Sequence, residues 1–198
     1  MTNGDIFLDY PLIVHKTKNK YLLSIYPEFH TRLFPDSRLL TESPDIVQDV
    51  SHTNSIHKIY ICAMKDVLHM KRGDIIVIYR TADKQGPARY RSVISSLCVV
   101  EEVRCINEFS TLESYIDYCS KFSVFSEDEL IEKYKIRKYP YIIRFTYNMA
   151  LPKRIIRDRL INEVGLNSSD YWGMMKLTDD QFNKIIKLSE VNESFIIN

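Results

Sequence analysis

Three polar side chains, Tyr79, Arg80 and Thr81, directly follow the apolar run at positions 75–78. A phenol, a guanidinium and a hydroxyl at the end of a rigid strand could form a polar rim that binds a small planar ligand or a phosphate. Tyr90 and Arg91 fall on the segment expected to form the next strand, and they could complete this rim. The alternative is an ordinary strand end that returns to solvent.

A second polar cluster occupies positions 28–37. If residues 28–34 are helical, Arg32 could bind a phosphate or carboxylate, and His30 could act as a hydrogen-bond donor or a base. We expect His30 and Arg80 to lie within roughly 10 Å of each other, about the width of a nucleobase-sized pocket. The alternative is that His30 and Arg32 pair with Asp36 and nearby carbonyls and simply hold the turn.

Charge is distributed unevenly along the chain, although the net charge is only +1. Residues 101–130 are mainly acidic and residues 131–160 are mainly basic, with tyrosines between the bases. The near-neutral total argues against a broad footprint on duplex DNA, whereas the basic band could contact single-stranded nucleic acid. Two solvated faces of opposite sign are the alternative. The candidate phosphate contacts in this band are Lys138, Arg144, Lys153, Arg154 and Arg157.

Several kinds of chemistry lack their motifs in this sequence. The five glycines never fall two or three apart, so no glycine-rich phosphate loop, dinucleotide fingerprint or acetyl-CoA loop is present. There is no G-x-S-x-G or H-E-x-x-H motif, the four cysteines are isolated, and the histidines are scattered. We therefore expect no cofactor and no metal site. The single cysteines, with no signal peptide and no membrane-length apolar run, indicate a cytoplasmic protein.

The elements that must position these residues can be read from apolar periodicity and capping signals. Ser126–Glu129 and Thr178–Gln181 are capping boxes that predict helix starts, and Ser110–Glu113 is a weaker third. Pro152–Val164 is predicted to be helical because proline stands at its start and Gly165 follows its end. The predicted strands are Lys58–Met64, Ile75–Arg80, Tyr90–Val103 and Tyr141–Tyr147, with a loop at 81–89.

These elements predict an α+β fold: a mainly antiparallel sheet curled into a small β-barrel and decorated with short helices. The apolar run at 75–79 should form a central strand, since both of its faces are apolar. No linker or internal repeat divides the chain after residue 20. We therefore expect an N-terminal arm at 1–20 and a single domain at 21–198.

In their order along the chain, these motifs resemble a known type of domain. The segments Glu28–Ser37, Ile59–Cys62, Arg72–Ile75 and Tyr79–Thr81 resemble the PUA-like domain found C-terminal to prokaryotic GNAT-type acetyltransferase domains. The likeness continues at 93–103, 125–130 and 177–186 and covers nearly the whole chain. It implies a pseudobarrel of the PUA, ASCH and EVE superfamily, whose members commonly bind RNA or modified bases in a cleft. It does not imply acetyl transfer, because no segment resembles an acetyltransferase.

Three functions follow as hypotheses. The first is a non-catalytic module that binds nucleic acid or a modified nucleotide by aromatic stacking and an arginine fork. The second is a docking domain for an acetyltransferase or a toxin–antitoxin partner, with no membrane contact. The third is an enzyme that uses His30 as a base. A binding module should contain an aromatic-walled pocket, whereas an enzyme should hold His30 at an open cleft.

Overall fold

The computed structural model describes residues 5–37 and 55–197 and shows an α+β fold. The main sheet has six strands, and a separate pair joins the two ends of the described chain. The strands are β1 (Ile13–Val14), β2 (Lys20–Ile25), β3 (His57–Cys62), β4 (Ile75–Arg80), β5 (Val93–Cys105), β6 (Tyr141–Ile156), β7 (Met174–Leu177) and β8 (Ile196–Ile197). The α-helices are α1 (Pro27–Leu33), α2 (Ala88–Arg91), α3 (Leu112–Cys119), α4 (Glu127–Ile136), α5 (Arg157–Arg159) and α6 (Asp179–Leu188).

Strand β4 lies inside the six-stranded sheet, as its doubly apolar sequence predicts. The strand order is β3-β6-β5-β4-β2-β7, so β4 has hydrogen-bonded neighbours on both edges. It runs parallel to β2 and antiparallel to β5. Every residue of β4 is buried, which explains why the run does not alternate with polar residues.

The sheet is curled around its core but stays open. Within 5–37 and 55–197, no strand pairing connects β7 to β3, so the predicted barrel does not close through backbone hydrogen bonds. Strand β7 is therefore an edge strand, paired on one side with β2.

The predicted helix Pro152–Val164 was wrong over its first half. Strand β6 continues to Ile156, where it pairs with Val93 at the start of β5. Pro152 falls in an irregular part of this ladder, between the pairings of Ala150 and Ile155, where a missing amide hydrogen costs little. The helical segment is α5 with the π-helical turn Leu160–Val164, and Gly165 ends it with a φ of 86°.

The predicted strand Tyr90–Val103 began too early. Tyr90 and Arg91 belong to the single helical turn α2, which follows Pro87, and β5 starts only at Val93. Proline is suited to helix starts because its φ is fixed near the helical value. Tyr90 and Arg91 therefore stand on a helical turn outside the sheet.

The predicted helix starts at capping boxes were more accurate than these two element boundaries. The capping boxes at Ser126 and Thr178 are formed as predicted, and each hydroxyl accepts a hydrogen bond from the backbone three residues on. The weaker box was wrong by one residue, because Thr111 and Ser114 form it ahead of α3. These short-range bonds depend only on neighbouring residues, so sequence alone specifies them.

Three apolar clusters hold the fold together. Helix α6 covers one face of the sheet, where Phe182 and Ile185 belong to the same cluster as Leu22 and Val77. The other face packs against α1, while α3 and α4 cover β3 from outside. No helix in the described part of the chain is long and apolar enough to cross a membrane.

Candidate functional site

The polar triplet at the end of β4 is enclosed. Tyr79 and Arg80 are each 2% exposed, and the Tyr79 ring lies 5.2 Å from the Trp172 ring. Burial raises the pKa of Tyr79, opposed by hydrogen bonds from Ser92 and Arg157. The guanidinium of Arg157 covers the outer face of Trp172 at 4.3 Å. The expected rim is therefore covered by segments that are distant in sequence.

His30 is fully buried in a chain of hydroxyl groups. Its Nε2 hydrogen bonds with the Ser95 hydroxyl at 2.7 Å, and the chain continues through Ser96 and Ser37 to the Tyr147 hydroxyl. Burial, followed by the positive charges of Arg80 and Arg154, lowers the pKa of His30 to about 3. His30 is therefore neutral at neutral pH, and its Nδ1 has no hydrogen-bond partner within 5–37 and 55–197.

The other residues expected at the rim are dispersed. Arg32 donates a hydrogen bond to the carbonyl of Val124. The Thr81 amide donates to Ile25 at 3.1 Å. Tyr90 is 59% exposed on α2, and Arg91 pairs with Asp83. The charge of Arg80 acts on His30, whereas Tyr90 and Arg91 stand on a separate surface turn.

Most cations of the predicted basic band already have partners within the chain. Arg144 pairs with the buried Glu101 at 2.7 Å, and Lys153 pairs with Glu190 at 2.7 Å. Arg157 covers Trp172, as described above, while Arg154 is half-buried and acts on His30 through its charge. Lys138 is exposed and stands 5.5 Å from the Tyr139 ring.

A concave surface rich in aromatic residues lies beside α1, which contributes Phe29 to it. This aromatic cleft has a volume of about 230 Å³, and its wall also includes Cys62, Met64 and Lys133. It is bounded by six aromatic side chains: Tyr26, Phe29, Tyr60, Phe125, Tyr139 and Tyr171. An apolar, ring-lined hollow of this kind is the usual form of a site for a planar ligand.

Four separate segments build the aromatic cleft. Tyr26 stands at the junction of β2 and α1, and Tyr60 comes from β3. Phe125 precedes the capping box of α4, whose helix then carries Lys133. Tyr171 lies just before β7. Tyr26 and Tyr171 are 62% and 68% exposed, so two ring faces at the mouth remain open to a ligand.

Lys133 brings a positive charge to this cleft without a carboxylate beside it. Its ammonium lies 4.1 Å from the Phe125 ring and 5.0 Å from the Tyr139 ring. No ion pair of Lys133 occurs among the described residues. Ring faces hold a cation in place but do not neutralise it, so Lys133 keeps its capacity to bind an anion.

The cleft floor is uncharged. Burial raises the pKa of the Tyr60 phenol, whose hydroxyl donates to the Ser24 carbonyl, and burial raises the pKa of the Cys62 thiol to about 12. Both groups are therefore neutral at physiological pH. In the described parts of the chain, no group of three acidic, histidine or cysteine side chains could hold a metal ion. The floor suits an uncharged planar group.

Sequence reasoning missed this cleft. Tyr139 was counted only among the tyrosines of the basic band, and Tyr60 only as part of the segment Ile59–Cys62. Tyr26, Phe125 and Tyr171 were given no role in a binding site. The available signal was the number of tyrosines, thirteen in 198 residues. The number of tyrosines does not show which of them lie close together in the fold.

Comparison with known proteins identifies the fold. No protein-family model matches the sequence, and no curated protein matches it significantly. Two crystal structures of mutant ASCH protein from Zymomonas mobilis each align with a TM-score of 0.52 and 12% identity. The alignments cover 85% of this chain and 95% or 97% of the ASCH chain. At this identity the likeness shows a shared fold only: the chain has the PUA-like fold of ASCH domains, as predicted.

A weaker likeness links the chain to human THYN1 in complex with 5-methylcytosine-containing DNA. It has 13% identity, covers 88% of this chain and 99% of the other, and has a TM-score of 0.47. A likeness this weak supports no inference about this chain.

Proposed function

We propose that this protein is a non-catalytic nucleic-acid-binding module that holds an unpaired base in the aromatic cleft. The observation that carries the proposal is the pairing of open tyrosine faces with Lys133, a cation that no described carboxylate neutralises. Stacking surfaces next to a positive charge match the two parts of a nucleotide, its base and its phosphate.

The base would stack between the exposed rings at the mouth of the cleft. Tyr26 and Tyr171 offer ring faces, and the neutral Tyr60 and Cys62 form the floor. Stacking on aromatic side chains tolerates any base, because every base has a π-face. Selectivity would have to come from the few polar groups at the floor, including the Tyr60 hydroxyl.

The phosphate would meet Lys133 and Lys138, which flank Tyr139. Both lysines belong to the basic band at 131–160. Arg144 and Lys153 contribute less in this proposal, because acidic side chains already pair with them. The charge of Arg154 acts on the buried His30, and Arg157 covers Trp172.

The residues at the end of β4 would act as support for the fold. Tyr79, Arg80 and His30 are enclosed, so a ligand could reach them only after the core opened. The same burial argues against His30 as a catalytic base, because a base must reach the proton it abstracts. Three expectations stay predictions: an acetyltransferase partner, a cytoplasmic setting, and the division into an arm at 1–20 and a domain at 21–198.

The proposal is tested by fluorescence anisotropy with labelled nucleoside monophosphates and oligonucleotides. Tyr171→Ala should weaken binding of all of them, because it removes an open stacking face. Tyr90→Ala is the matched control, since Tyr90 is also an exposed tyrosine but lies outside the cleft. Equal binding by the wild type and Tyr171→Ala, or a loss only in Tyr90→Ala, would contradict the aromatic cleft as the site.

A further inference from the structure

Two more depressions lie along β2 and β7, beyond the aromatic cleft. Next along β2 is a hollow of about 440 Å³ beside Tyr21 and Met174. Beyond it lies a third depression of about 510 Å³, which we term the lysine groove because Lys16, Lys18, Lys20 and Lys176 line it. Asn19 and Lys176 line both the hollow and the lysine groove, so these two are continuous.

The order of the three depressions follows the strand register. Lys20 and Tyr21 pair with Leu177 and Lys176 at the lysine end of β2. At the other end, the Ser24 amide donates to Gly173, next to Tyr171. A six-residue strand spans about 17–20 Å, which sets the distance between the lysine groove and the aromatic cleft.

A second wall accompanies the strand edge. The 3₁₀ turn Lys65–His69 runs beside it: Met64, just before the turn, lines the aromatic cleft, and Asp66 and His69 line the hollow. The Tyr21 hydroxyl contacts the carbonyl of His69 at 3.5 Å and lies between the two walls. This short segment of the chain therefore borders both the aromatic cleft and the hollow.

Three lysines of the lysine groove have no ion-pair partner in the part of the chain that the structure describes. Among residues 5–37 and 55–197, Lys16, Lys18 and Lys176 form no ion pair. Lys20 differs, because it is 2% exposed and bonds Asp179 at 2.6 Å. The nearby Asp74 carboxylate already accepts hydrogen bonds from Asn19 and from the Lys71 backbone.

We infer that the aromatic cleft, the hollow and the lysine groove together form a track for one strand of nucleic acid, with a base in the aromatic cleft and phosphates on Lys16, Lys18 and Lys176. The inference deepens the proposed function and rests on it. A length of about 20 Å accommodates about six nucleotides at the 3.4 Å spacing of a stacked strand. A duplex fits poorly, because its bases are already stacked and paired and the cleft accepts an unpaired one.

Asp66 gives the inference a second, independent consequence. Its exposed carboxylate lies on the wall of the hollow, where the strand would pass between the two ends. A negative charge at that point repels phosphate. Asp66→Asn should therefore tighten oligonucleotide binding and leave mononucleotide binding unchanged.

The test compares two triple variants by fluorescence anisotropy across a salt series. In the first, Lys16, Lys18 and Lys176 are each changed to Ala; in the control, the exposed Lys121, Lys135 and Lys187, which line none of these depressions, are changed to Ala. The probes are thymidine monophosphate and an oligothymidylate of about 12 nucleotides, single-stranded and annealed to its complement. Thermal melts check that each variant is folded.

We expect the first triple variant to bind the single strand about 100-fold more weakly at 0.1 M salt, with a log–log salt slope flatter by about 2. Thymidine monophosphate should bind both triple variants as it binds the wild type. Equal losses in the two triple variants, or tighter binding of the duplex than of the single strand, would overturn the track. Failure of thymidine monophosphate to bind the wild type would instead overturn the aromatic cleft itself.

Discussion

The ring of Tyr171 lies across Gly173, so close that a Cβ built on the glycine would stand 2.3 Å from the phenol oxygen. Any larger residue at position 173 must displace this ring. Because Tyr171 is exposed, the ring can swing away at little cost to the fold. Gly173 therefore sets the orientation of one wall of the aromatic cleft.

This relationship gives a prediction for stacking. Tyr171→Ala should weaken nucleotide binding by about 1–3 kcal/mol, the usual contribution of one base–aromatic stack. Gly173→Ala should weaken binding in the same direction while the melting temperature stays near the wild-type value, and Tyr171→Phe should bind as the wild type does. Isothermal titration calorimetry and thermal melts measure both quantities. A Gly173→Ala protein with unchanged affinity would show that the orientation of Tyr171 is irrelevant to binding.

A second prediction concerns Lys133. Lys133→Met keeps an unbranched chain against Phe125 but removes the charge, so it should weaken binding of nucleoside monophosphates and leave uncharged nucleosides unaffected. With an oligonucleotide, the salt slope should fall by about 0.7, the value for one phosphate contact on a single strand. Lys135→Met, two residues along the same helix, is the control. Loss of nucleoside binding as well would mean that Lys133 shapes the cleft and does not bind phosphate.

A third prediction concerns pH and His30. Its folded-state pKa of about 3 lies below the ordinary value of 6.5, so between these values only the unfolded chain takes up the proton. Stability should therefore fall as pH drops below 6.5, by about 2 kcal/mol between pH 7 and pH 5 from this group alone. Urea unfolding at both pH values should show a smaller change in His30→Gln than in the wild type. The exposed His69 supplies the control, and His69→Gln should match the wild type.

The fourth prediction links His30 to its charged neighbours. Arg80 and then Arg154 contribute to the low pKa of His30, so Arg80→Met should raise that pKa, and Arg154→Met should raise it less. Nuclear magnetic resonance of the His30 ring during a pH titration measures the shifts. An unchanged His30 pKa in a folded Arg80→Met protein would contradict the electrostatic effect of Arg80 on His30.

Local signals in the sequence specified much of the fold. The continuous apolar run of β4 is a direct result of burial on both faces, and the capping boxes at Ser126 and Thr178 need only neighbouring residues. The helix predicted from Pro152 was wrong because a proline is tolerated both at the start of a helix and at an irregularity in a strand, and the local sequence does not distinguish the two. The pairing with β5, far away in sequence, decided between them.

The candidate site was less accessible to sequence reasoning. Tyr79 and Arg80 end a strand, as predicted, but only the fold shows that Trp172 lies against Tyr79 and that Arg80 is buried. The aromatic cleft requires β2, β3, α4 and the segment before β7 to come together, and no local pattern encodes their proximity. Residues able to bind a ligand could be recognised in the sequence, but the residues that surround them in the folded protein could not.

The short pairing of β1 with β8 also bears on how the lysine groove moves. Ile13 and Val14 pair with Ile196 and Ile197, and the His15 amide donates to Ile197 at 3.0 Å. The loop that carries Lys16 and Lys18 starts at this pair and ends at β2. A two-residue pairing between segments so distant in sequence should open far more often than the central sheet. Each opening would free one end of the loop that carries Lys16 and Lys18. Hydrogen exchange at β1 should therefore report how fast the lysine groove can change shape around a bound nucleic-acid strand.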